Sequence, residues 1–509
     1  MKNLLSILSL LLILSCSTQS QGLDSIKVTG GEISGRQTAD GAVSIYQGIP
    51  FAAPPVGDLR WKSPQPVKPW EGILECTDFG PSPMQGEPRP FSMWSKEYLI
   101  RDEPISEDCL YLNVWTAAQS PSEKRPVMVW IYGGGFNSGG SNVPIYDGEA
   151  FARKGVVFVS INYRVNIFGF LAHPELTAES EHNVSGNYGV QDQIAALQWV
   201  KENIAAFGGD PANVTIAGQS AGSMSVNTLV ASPLAEGLFN KAIAESGALF
   251  TGGSQTLAQA EQAGVQAVSQ FNAASIEELR ALSTEEIFKA RVNARPIVDG
   301  YVLPKDIKDI FAANEQNRVD LLTGWNEDEG FTLGSIQGAE GYQQRIKNQY
   351  GDLADEYLKY YPGSTDEEAE KSQYDLGRDQ IFGVQNYTWA KIQAQAGTQV
   401  YVYNFTRDVP GEGEYANYGA FHTGEVPYAY GNLKFVNRPW EQADHDLSEA
   451  MADYWTNFIK TGNPNGSGLP EWPKFTTDQK ETIFLGKEIT SGPMPDAERL
   501  EFLYGVLGR

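Results

Sequence analysis

Residues 218–222 read "GQSAG", one serine with a glycine two positions to either side. Glycine is used where a backbone must bend sharply or come close to something. A serine hydroxyl attacks a carbonyl only if a base removes its proton and donors receive the oxyanion. The pattern alone decides little. With 52 Gly among 509 residues, a G-x-S-x-G match arises by chance in roughly one such chain in three. Its surroundings say more. "ANVTIAG" before it reads as a buried strand, and "SAGSMSVNTLVAS" after it as a helix. A serine on a sharp strand-to-helix turn crowds the residues two positions away on each side, so Gly218 and Gly222 supply clearance. The helix N-terminus behind Ser220 then offers free N–H groups and a partial positive charge to a developing oxyanion.

The remaining chemistry needs donors, a base and an acid. "VMVWIYGGGF" runs from a strand into Gly133-Gly134-Gly135, where N–H groups can turn toward one point without side chains in the way. The chain has four histidines. His173 and His182 precede the serine, whereas hydrolases of this pattern run serine, acid, histidine. His445 lies in a polar helix start. His422 lies in a glycine-bounded loop after the strand "QVYVYNF" and is the candidate base. The acid should stand at a strand end between Ser220 and His422. "VDLLTGWNEDEGF" offers Glu327, Asp328 and Glu329, and spacing does not choose among them.

These residues need a scaffold that brings strand ends together. "PVMVWIY", "VVFVSINYR", "NKAIAESG" and "VDLLTGW" read as strands apolar on both faces, and "YGVQDQIAALQWVKENIAAFG" as a helix ending on Gly208–Gly209. Strands alternating with helices imply an α/β fold, with a large mostly parallel central sheet covered on both faces. Ligands of such sheets bind beyond the carboxyl ends of the strands. The first hundred residues read as an antiparallel edge region with long loops. Residues 255–292 and 339–396 read as helical insertions forming a cap over the site. No linker or repeat divides residues 26–509, which read as a single domain.

A formal net charge of −25 argues against nucleic acid as a partner, since no basic stripe could neutralise phosphates. It also argues against charge-driven docking on an anionic membrane. Residues 1–15 have the shape of a signal peptide, one lysine followed by a short apolar run. The run from Leu4 to Leu14 is short of the ~20 residues of a membrane span. Cys16 follows directly in "LILSC", a lipobox-like string that makes it a candidate for lipidation and membrane anchoring, with Leu14 where a smaller residue is more usual. The mature protein is thus expected to be exported, periplasmic or secreted. Cys76 and Cys109 remain, and two cysteines in an exported chain predict one disulfide.

Taken together, many strings resemble the type-B carboxylesterases, the family of bacterial para-nitrobenzyl esterases and the cholinesterases. They include "YQGIPFAAPPVGDLRW", "SEDCLYLNVW", "VWIYGGGF", "SGNYGVQDQIAALQWVKENIAAFGGDPANVTIAGQSAG", "NEDEGF", "GAFH" and "YWTNFIKTGNPNG". The likeness runs from about residue 26 to the end. It implies an α/β-hydrolase fold and a serine carboxylesterase acting through an acyl-enzyme. It implies Glu329 as the acid, and the N–H groups of Gly134, Gly135 and Ala221 as the oxyanion hole. It implies Ser246 as a buried serine behind the acid–base pair, and structural ion pairs Arg60–Glu107 and Arg164–Asp192. Two departures stand out. Gln219 occupies a position where the family often has Glu, which disfavours a cationic substrate. Cys76 lies a few residues before the usual partner of Cys109, and Pro83 falls in the segment where many relatives carry that partner.

The implied reaction takes a small-molecule ester and needs no metal and no organic cofactor, with rate lost in acid as the base gains its proton. Two other readings are a non-catalytic adhesion protein on the same fold and an enzyme cleaving another acyl bond. The retained serine, acid and histidine speak against the first. Trp94, Phe136 and Met224 are candidate pocket residues. The acyl and alcohol preference and the oligomeric state are left open.

Overall fold

A computed structural model describes residues 25–102, 104–330 and 335–508. The signal peptide at 1–15 and Cys16 lie outside the described residues. The central sheet has eleven strands. In chain order they are β1 (Arg36–Gln37), β2 (Ser44–Pro50), β3 (Tyr111–Thr116), β4 (Arg125–Ile131), β5 (Val157–Ile161) and β6 (Gly209–Gln219). Then follow β7 (Lys241–Glu245), β8 (Asp320–Asn326), β9 (Val400–Phe405), β10 (Glu481–Leu485) and β11 (Ile489–Pro493). Their spatial order is β11-β10-β9-β8-β7-β6-β4-β5-β3-β2-β1.

Every neighbour from β5 across to β10 is parallel, and both edges are antiparallel. The parallel strands are buried on both faces, as their unbroken apolar runs require; β5 and β7 are buried at every position. The antiparallel edge expected in the first hundred residues is present as β1 and β2. A separate three-stranded sheet (Ile26–Val28, Gly31–Ser34, Ile73–Glu75) stands beside it. The closing pair β10 and β11 has no counterpart among the strands read from the sequence.

Helices pack around the sheet. They include α1 (Tyr188–Asn203), α2 (Ala221–Ala231), α3 (Leu257–Val268), α4 (Asp366–Arg378), α5 (Val384–Gln395), α6 (Gln442–Thr461) and α7 (Ala497–Leu507). α1 ends earlier than its glycines suggest. It tightens into a 3₁₀ turn at Ile204–Phe207, Gly208 caps that turn at φ 78°, and Gly209 already opens β6.

The two helical insertions do different things. Residues 255–292 pack Val268, Leu279 and Ile287 on Trp61, Phe168 and Tyr188, in an apolar cluster of their own. The second insertion alone reaches the site, through Ile381 and Phe382.

The chain visits β5 on one side of β4 and then returns to β6 on the other. That reversal opens a crevice at the carboxyl ends of β4 and β6. Register sharpens it. Ile131 pairs with Gly218, so two residues further on Gly133 lies beside Ser220.

The expected disulfide is not formed. Cys76 and Cys109 are both free and buried. Cys76 is fixed by its backbone, its N–H donating to Ser34 O (2.7 Å) and its carbonyl accepting from Gln47 N–H (2.8 Å). Cys109 lies in a tight niche with Pro83, Met84, Arg60 and Arg164. The segment facing Cys109 therefore carries Pro83 and not a thiol, while Cys76 is committed to the neighbouring strands. Both ion pairs implied by the resemblance form and are buried. Arg60 Nε and Nη2 donate to Glu107 (2.7 and 2.6 Å), and Arg164 Nε and Nη2 to Asp192 (2.8 and 2.7 Å).

Candidate active site

Ser220 closes β6 and opens α2 with φ 57° and ψ −125°, a strained conformation for a residue with a Cβ. The surrounding glycines make it tolerable. A Cβ on Gly222 would stand 2.0 Å from Ile131 O, and one on Gly218 would stand 2.5 Å from the Gly222 carbonyl. A Cβ on Gly133 would meet Gln219 O at 2.6 Å and Ser220 Cβ at 3.0 Å. The triple glycine is thus divided. Gly133 gives clearance to the elbow, whereas Gly134 (φ 113°) and Gly135 (φ 61°) turn the loop along the cavity wall. Ala221 is the first residue of α2 and buried, so its N–H belongs to the helix N-terminus immediately after Ser220.

The candidate acid and base come from two other strand ends. Glu329 follows β8 and is buried, while Glu327 and Asp328 are exposed. Of the three acids, Glu329 alone meets the histidine, its Oε2 lying 2.7 Å from His422 Nδ1. Its Oε1 accepts the Asn326 N–H at 2.9 Å. The two loops are stitched together further. Asn326 Nδ2 donates to Phe421 O (2.8 Å) and to Glu425. Asp328 N–H donates to Ala420 O (3.1 Å), and Ala420 N–H to Asp328 Oδ2 (2.9 Å).

His422 is 4% exposed. Phe382 stacks on its ring with centroids 4.5 Å apart and planes at 17°, and Trp94 meets it edge-on at 6.4 Å. Gln219 Nε2 lies 3.3 Å from Nδ1 and 3.2 Å from Nε2. A nitrogen that close to both ring nitrogens lies over the ring and not in its plane. Gln219 Oε1 accepts from Thr423 Oγ1 (3.4 Å), which in turn accepts from Trp94 Nε1 (3.3 Å).

A cavity of about 730 Å³ joins these parts, with Ser220, His422, Gly134 and Gly135 in its wall. Its far side is largely the loop Gln85–Ile100, which the sequence left as undifferentiated edge structure. Of the three candidate pocket residues, Trp94 and Met224 line it. Phe136 does not. It is buried at φ 59° and packs edge-on against Phe170 at 5.3 Å. The other histidines stand apart. His173 caps a short helix by accepting from Glu175 N–H (3.2 Å), His182 stacks on Tyr301 (3.9 Å), and His445 is exposed.

Ser246 is fully buried with φ 54°, and its N–H reaches Gly324 O (2.9 Å). Its hydroxyl has no hydrogen-bond partner among the described residues; the Asn326 N–H bonds Glu329 and Gln219 Nε2 lies over the His422 ring instead. Behind them lie two further buried acids. Burial holds the Glu245 carboxyl up at about 8, although Trp455 Nε1 donates to it at 2.7 Å. Burial, then the nearby Glu245 and Glu329, push Glu425 well above the usual carboxylate range. No cluster of metal-ligating side chains occurs among the described residues.

A serine on a glycine-cleared elbow shares a cavity wall with a histidine held by a buried glutamate, at the switch point of an α/β-hydrolase sheet. Comparison with known proteins places it more closely. The carboxylesterase family model matches residues 23–503. The fumonisin B1 esterase of Sphingopyxis macrogoltabida is 36% identical over 89% of this chain and 85% of its own. The para-nitrobenzyl esterase of Bacillus subtilis is 35% identical over 94% of this chain and 98% of its own, and the liver carboxylesterase of Sus scrofa 35% over 86% and 84%. The chain belongs to the carboxylesterase family and is a carboxylic ester hydrolase.

Proposed function

We propose that Ser220 is the nucleophile of this hydrolase, His422 its general base and acid, and Glu329 the residue that orients the imidazole. One observation carries this reading most directly. The Glu329 carboxylate accepts at Nδ1 of His422 in the wall of the cavity that also holds Ser220. That contact fixes the tautomer, leaving Nε2 to take the Ser220 proton as Oγ bonds to the ester carbonyl carbon. The N–H groups of Gly134, Gly135 and Ala221 receive the oxyanion, each donor contributing about 3–4 kcal/mol. His422 returns the proton to the departing alcohol. Water, deprotonated by the same nitrogen, then releases the acid from the acyl-serine.

The substrate side follows from the walls. Phe91, Trp94, Tyr98, Phe382 and Met224 supply an apolar surface, and the lining carboxylate Glu87 sits exposed at the mouth beside Arg89 (3.1 Å). With the neutral Gln219 beside His422, the site suits uncharged esters with an aromatic or alkyl group. Export and anchoring through Cys16 are supported by residues 1–16 of the sequence, with residues 26–509 acting as a single domain.

Three measurements test this reading. A fluorophosphonate should label the Ser220 peptide and abolish hydrolysis of p-nitrophenyl acetate. An unlabelled Ser220 in active protein would sink the assignment. In a panel of acyl and alcohol groups, neutral p-nitrobenzyl and p-nitrophenyl esters should exceed a choline ester in kcat/KM. Labelled fatty acid fed to cells should enter the protein and be lost in Cys16→Ala.

A further inference from the structure

α4 does not end at Arg378. It runs into α5 through the π turn Asp379–Gly383. A π turn closes i→i+5 hydrogen bonds inside an α-helix and is frequent at functional sites. Here it brings Ile381 and Phe382 to the cavity and lays Phe382 on the imidazole.

The turn is held from behind by charges. Asp379 is fully buried. Its Oδ1 accepts from Arg378 Nε (2.8 Å), its Oδ2 accepts from Tyr361 OH (2.9 Å), and the Arg499 guanidinium is ion-paired to it with Nε 2.7 Å from Oδ2 but without hydrogen-bond geometry. Arg499 belongs to α7, pairs also with Asp496 (2.9 Å), and lies over the Tyr361 ring at 5.3 Å. The same Arg378 donates from Nη1 to Glu327 O at 2.8 Å, two residues before Glu329. One cluster therefore grips the turn that stacks on the base and the loop that carries the acid. A buried ion pair adds little net stability over an apolar plug. The hydrogen bonds from Arg378 and Tyr361 supply direction, and the Arg499 charge holds the buried carboxylate ionic; direction is what a stacked ring and a carboxylate 2.7 Å from an imidazole need.

We propose that Arg378, Asp379 and Arg499 are positioning residues for the acid–base pair, and that α7 thereby sets the rate of the acyl transfer through the π turn. None of the three lines the cavity, so none touches substrate. The proposal rests on the assignment of Ser220, His422 and Glu329 made above. It goes beyond that assignment in giving the last helix of the chain a part in turnover.

The test uses the full chain with Arg499→Ala, Arg499→Lys and Asp379→Asn. Active sites are counted by stoichiometric fluorophosphonate titration. kcat per titrated site, KM for p-nitrophenyl acetate, the pH profile of kcat and the Tm are then measured. Arg499→Ala should lower per-site kcat about 10-fold to 100-fold, the penalty of a small misplacement of catalytic groups. KM should change less than about twofold, the acid limb of the kcat profile should move, and Arg499→Lys should recover part of the loss. A lower Tm with wild-type per-site kcat and pH profile would overturn the proposal and leave the cluster a structural clamp. Should the alanine variant not fold, Asp379→Asn, nearly isosteric and uncharged, decides on the same readouts. The underlying assignment fails separately, through an unlabelled Ser220 in the wild-type protein.

Discussion

The two halves of the site are held in opposite ways. The Ser220 side is set by backbone sterics. Gly133, Gly218 and Gly222 let β4, the elbow and α2 approach to distances at which any Cβ would overlap. The Glu329–His422 side is set by polar contacts between segments far apart in the chain: Asn326 with Phe421, Asp328 with Ala420, Arg378 with Glu327. The first half is short-range and rigid, and the strain at Ser220 is absorbed by residues within a few positions or in register on the next strand. The second half is a network, whose members fix one another and whose loss is felt as misorientation more than as overlap.

The contrast can be broken at several points. The largest effect is expected from Glu329→Gln, which presents an amide to Nδ1 and favours the wrong tautomer. Steady-state kinetics should show kcat lower by roughly 10⁴-fold with the fold intact. A variant within about tenfold of wild type would mean that the network, and not the carboxylate, orients His422. Next is Gly222→Ala on the steric side. Its Cβ would fall 2.0 Å from Ile131 O, so urea unfolding should reveal a loss of ~3 kcal/mol or no soluble protein. Unchanged stability with normal turnover would show that the elbow has room the distances deny.

Asn326→Leu then tests the stitching. Losing its bonds to Phe421 and Glu425 should lower kcat about tenfold, the equivalent of ~1–2 kcal/mol, while KM holds. A change confined to Tm would place Asn326 outside the catalytic geometry. The smallest effect concerns Glu245. Its carboxyl stays protonated in the folded protein up to about 8, against an ordinary value of 4.5. Between those values the unfolded chain has released a proton that the folded one keeps. Stability therefore falls as pH rises through that window and levels off above it. Glu245→Gln should flatten the decline of Tm between about pH 5 and pH 8. An identical slope would assign the decline to other groups.

Legibility followed the same division. The elbow was readable because its logic is local: two glycines, a strand before and a helix after. The acid was not readable from spacing, since Glu327, Asp328 and Glu329 are adjacent; the family resemblance implied Glu329, and burial and the contact with His422 set it apart in the structure. Phe382 and Asn326 gave no signal, because their partners lie far off in the chain; Asn326 bonds a carbonyl 95 positions away. A search for aromatic or amide residues at strand and turn ends would have found both, among many others. Phe136 misled because an aromatic beside a glycine loop can face the core as easily as the cavity. The cysteine count misled because parity says nothing of distance, and Pro83 stands where a partner for Cys109 would be needed.

Chain order and elimination left His422 as the candidate base; what else the sequence determined by itself was written in local sterics and hydrophobic period: the parallel strands, the Ser220 elbow and the glycine turn facing it. Those follow from interactions between residues close in the chain or from burial of whole apolar runs. Tertiary structure alone decided what covers the histidine ring, which loop walls the cavity and that two thiols stay apart. Each of these depends on where loops tens to hundreds of residues apart come to rest, and that position is fixed by the packing of the whole sheet.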